Sequence, residues 1–170
     1  MTRRVLFYKW FWYLMAIVPL CIAEDHLFNR LRLFGAAPVL LPLAAVAAAM
    51  LEGPAAGGSY GLVVGLFCVA SWPGEGWIFL FPLTLAGILV GVACQYGLRP
   101  GYPGCLLCSA GVLAVVSFLR ILIRLLWERA ELLPMLELAA RELVVSLPFA
   151  LPVYFLYSRV YAKVGGTRLM

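Results

Sequence analysis

Long apolar runs alternate with short polar breaks along this chain, and the breaks mark out six candidate membrane-spanning helices. The first run extends from Val5 to Ala23 and closes on Glu24, Asp25 and His26. The second, Phe34 to Leu51, stops at Glu52-Gly53-Pro54, and the third, Ala55 to Ala70, stops at Ser71-Trp72-Pro73-Gly74-Glu75-Gly76. Turn-forming residues and a charge in that last break do not suit mid-membrane helix. The fourth run covers Trp77 to Tyr96, the fifth Cys105 to Leu126 and the sixth Leu143 to Val160. Each is about 16 to 22 residues, enough to cross a hydrocarbon core of about 30 Å with some tilt. The runs are continuously apolar rather than alternating, and only a helix satisfies its own backbone within lipid, so the pattern predicts an all-α membrane protein forming one polytopic domain.

Residues 127 to 142 read differently. Arg120, Arg124 and Glu128 recur on one helical face, and Leu132, Leu133, Leu136 and Ala140 supply an apolar side. The spacing predicts an amphipathic helix lying in the membrane interface. Arg120, Arg124, Trp127, Leu132 and Leu136 are then candidates for docking an extracytoplasmic partner.

Composition sharpens the picture. Hydrophobic residues make up 65% of the 170 and charged residues 12%, about half the charge of an ordinary soluble domain. A soluble enzyme, a disordered chain, a disulfide scaffold and a nucleic-acid-binding module are all excluded on that ground. The net charge of +5 reads instead as topology. Arg3, Arg4 and Lys9 flank the first run, and Arg159, Lys163 and Arg168 flank the last. The positive-inside rule therefore places both termini in the cytoplasm, with the first run an uncleaved signal-anchor. The charges gather at run ends and between Arg120 and Glu142, so no span is expected to carry an ion or proton pathway.

Inside the runs the recurring feature is small residues four apart. Gly57, Gly61 and Gly65 form a double GxxxG, Gly87 and Gly91 form another, and Ala44 with Ala48 and Ala45 with Ala49 continue the pattern. Such faces let helix backbones approach closely, within the chain or against a partner's helix. Prolines 38, 42, 82, 148 and 152 fall within runs and predict kinks. No catalytic, cofactor or metal residues are expected. His26 is the sole histidine, and no Walker loop or nucleophile elbow is present. The five cysteines, including the lone pair Cys105 and Cys108, read as small hydrophobes.

From Gly35 to Cys94 the order of elements resembles the rod shape-determining MreD family. A short N-terminal span precedes Gly35-Ala36-Ala37-Pro38-Val39-Leu40-Leu41. A Gly53-Pro54 break then opens a glycine-rich helix, and after a turn a helix closes on Leu85-Ala86-Gly87-Ile88-Leu89-Val90-Gly91. One departure is Val69, where the family often carries an aspartate. The resemblance implies a non-enzymatic scaffold of the bacterial inner membrane that binds MreC and helps couple MreB filaments to RodA and its class B penicillin-binding protein. It also implies six helices similar to the substrate-binding subunits of energy-coupling-factor transporters. Such a vitamin-binding subunit is the alternative function, with Trp72, Glu75 and Trp77 as its candidate ligand contacts.

Overall fold

The fold is organised around a helix that the sequence marks only as a run of small apolar residues. In the computed structural model, which describes residues 3–28, 38–71, 74, 76–97, 101–128 and 132–164, that helix is α2, Leu41–Glu52. All twelve of its residues are buried. Its neighbours are α1 (Arg3–Ile22), α3 (Pro54–Ser71), α4 (Trp77–Tyr96), α5 (Tyr102–Glu128) and α7 (Ala150–Val164). Alanine at positions 44, 45, 47, 48 and 49 keeps the cylinder thin enough for five helices to reach it. The remaining helix, α6 (Leu132–Ser146), packs on α5 and continues through a 3₁₀ turn, Leu147–Phe149, into α7. Among the described residues there is no β-strand.

Among the described residues, four helical stretches are long and apolar enough to cross a membrane: Pro54–Ser71, Trp77–Tyr96, Tyr102–Leu126 and Leu132–Lys163. Two of the expected boundaries move. Where the pattern predicts a span over 34–51, helix begins only at Leu41; residues 38–40 are irregular and 34–37 lie outside the described residues. At 12 residues, α2 is about 18 Å long and too short to span alone. Pro38 and Pro42 account for the late start, since neither offers an N–H to the helical ladder. The second shift joins the interfacial segment 127–142 to the sixth run. Trp127 and Glu128 end α5, and the helix from Leu132 runs with one bend at Leu147–Phe149 into the final helix, Pro148 removing a backbone donor at the bend.

The densest contact joins α3 to α4, and the glycines create it. A Cβ added at Gly57 would stand 2.6 Å from the carbonyl oxygen of Gly87, and one at Gly65 would stand 2.8 Å from Cα of Leu80. At Gly61 it would collide with the Leu83 carbonyl, at Gly87 with that of Gly57, and at Gly91 it would lie 2.5 Å from Pro54 Cα. All five candidate packing glycines are thus used inside the chain, backbone on backbone. Gly53 links α2 to α3 at φ 93°, a conformation that glycine adopts at little cost and that strains any residue with a Cβ. Its N–H closes α2 on the Ala49 carbonyl at 3.0 Å, and Pro54 starts α3.

Gly61→Ala is expected to cost about 1 to 3 kcal/mol by overpacking, read as a fall in melting temperature and early aggregation in detergent. Gly111→Ala, where an added Cβ meets nothing within 4 Å, is expected to stabilise by about 0.5 to 1 kcal/mol through helix propensity. Equal melting temperatures for the two variants would contradict this account.

Candidate functional site

A polar network threads one end of the bundle where an uninterrupted apolar core was expected. Glu52, the last residue of α2, is 4% exposed and forms an ion pair with Lys9 of α1, itself 7% exposed. Tyr13 Oη, one turn further along α1, donates to Glu52 Oε1 at 2.8 Å. Tyr60 Oη of α3 donates to the Tyr13 carbonyl at 3.1 Å. Its single proton is thereby committed, so in the 2.5 Å contact between the two hydroxyls Tyr157 of α7 is the donor. The three rings pack with centroids 5.7 to 5.9 Å apart, near the edge-to-face optimum. Four helices are pinned together by five side chains.

The expectation that no charge lies within a span is therefore corrected. Lys9 sits inside the run Val5 to Ala23, and Glu52 closes a wholly buried helix. The pair is explicable from the helix field. A carboxylate at a helix C-terminus lies at the negative end of the macrodipole and in low dielectric, so it needs a cation in contact. Beside it is a cavity of about 20 Å³ lined by Lys9, Trp10, Tyr13, Ala48, Glu52, Ala56 and Tyr60, room for about one water molecule. The signal in the sequence was a lysine within an otherwise apolar run and hydroxyl-bearing tyrosines in that run and two others.

The opposite end of α2 is satisfied from a distance. Leu40 caps the helix without a side-chain hydrogen bond. The Leu41 N–H instead donates to Glu24 Oε2 at 3.1 Å, and the Val39 N–H to Ser146 Oγ at 3.0 Å. Here the helix dipole favours the anion. Glu24 belongs to a π-helical turn, Ala23–Phe28, that prolongs α1. His26 of the same turn is exposed.

The expected docking residues divide. Arg120 is not available to a partner as a surface charge: it forks onto Glu142 at 2.9 and 3.3 Å and lies 5.0 Å over the Phe79 ring. Arg124 stands one turn beyond, partly buried. Leu132 and Leu136 of α6 are exposed, while the side chain of Trp127 lies outside the described set. Of the proposed vitamin contacts, Trp77 is exposed and donates from Nε1 to the Gly74 carbonyl at 3.1 Å; Trp72 and Glu75 lie outside the described residues. Cys105 and Cys108 are both buried on α5. Among the described residues no group of three His, Cys, Asp or Glu side chains converges as a metal site.

A recess of another kind lies between α4 and α5. It is a furrow of about 530 Å³, walled by Pro82, Ala86, Val90, Cys108, Gly111 and Val115 among other apolar residues. It opens on the surface that carries exposed Phe81, Leu85, Leu89 and Leu107.

Lys9→Met or Glu52→Gln alone is expected to destabilise by about 3 to 5 kcal/mol, because each leaves a buried group uncompensated. The double variant is expected to recover most of the loss. A double-mutant cycle of melting temperatures in detergent measures the coupling, and additive effects would mean the pair is not buried as described. Compared with known proteins, the chain matches no family model, no curated protein and no solved structure.

Proposed function

We propose that this protein is a non-enzymatic membrane scaffold of the MreD type, a six-span bundle whose surface contacts with other proteins are its function. The observation that carries this reading is where space and polarity lie. The buried polar groups of the Lys9–Glu52 network bond to one another and leave a cavity of about 20 Å³, far below the roughly 300 Å³ of an ordinary small-molecule site. The large recess, about 530 Å³, is apolar and lies on the outside between α4 and α5. The five packing glycines are occupied within the bundle, so the furrow and the exposed leucine face of α6 are the surfaces left for partners.

In this reading the chain sits in the bacterial inner membrane with both termini in the cytoplasm, as the flanking Arg3, Arg4, Arg159, Lys163 and Arg168 favour. The short α2 counts as one of the six spans because its irregular start is enclosed by protein, the circumstance in which non-helical backbone is tolerated at membrane depth. The partners are those of the elongation complex: MreC directly, RodA and its class B penicillin-binding protein in the same assembly, and MreB through them.

Affinity purification of the tagged chain from native membranes in mild detergent is expected to bring MreC and the synthase pair with it. Depletion is expected to round a rod-shaped host. Unchanged rods after clean depletion, or a vitamin co-purifying at one per chain without MreC, would replace the scaffold with the transporter subunit.

A further inference from the structure

We draw no further inference here: the strongest candidate, the outer face of α6 that carries exposed Leu133, Leu136 and Val144 beside the exposed Glu137–Arg141 ion pair, is an unpartnered helix face, and nothing in the structure shows what covers it.

Discussion

Everything in this bundle answers to the need to satisfy both ends of one buried helix. With all twelve residues of α2 enclosed, its free N–H groups and free carbonyls are shut off from bulk water and have to be met by other parts of the chain. At the start the partners are Glu24 and Ser146, 17 and 107 positions away in sequence. At the end they are the Gly53 turn and the Lys9 ammonium, which offsets the Glu52 carboxylate. Helices α1 and α6 are thereby tied to α2 by polar contacts, while α3 and α4 are held together by glycine contacts that need no polarity at all.

These two kinds of cohesion divide the molecule. Lipid tails are as apolar as leucine, so hydrophobic burial does little to bring helices together in a membrane; close packing and interhelical hydrogen bonds do it. The α3–α4 pair relies on the first, with Gly57, Gly61, Gly87 and Gly91 placing backbone against backbone. The α1–α2–α7 side relies on the second, through Lys9, Tyr13, Glu52, Tyr60 and Tyr157. Between α4 and α5 the Arg120 guanidinium lies 5.0 Å over the Phe79 ring, and an apolar furrow opens along the same two helices. Between α5 and α6 the tie is again polar, the Arg120 guanidinium bonding both oxygens of Glu142.

What could be read along the chain was whatever depends on local pattern. Runs of apolar residues of spanning length placed the helices near 54–71, 77–96 and 102–128 to within a few residues, because backbone satisfaction in lipid leaves a helix as the only option. The GxxxG spacing showed which faces could approach closely. Run length misled at 34–51, where composition is as apolar as in any span but two prolines and two long-range side-chain bonds shorten the helix. At 127–142 the amphipathic pattern suggested one separate element, and the structure divides that stretch between the end of α5 and α6, which a 3₁₀ turn joins to α7.

The sequence by itself determined that the chain is helical, apolar and built with small-residue faces, since each of these follows from neighbours within one or two turns. Only the tertiary structure decided that Lys9 and Glu52 meet, that three tyrosines from three helices share one hydrogen-bonded chain, and that Arg120 spends its charge on Glu142. A lone lysine in an apolar run has the same local pattern whether it reaches the interface or a buried carboxylate. The difference lies in a partner 43 residues away, brought to it by the way α1 and α2 lie side by side, and hydropathy carries no record of that arrangement.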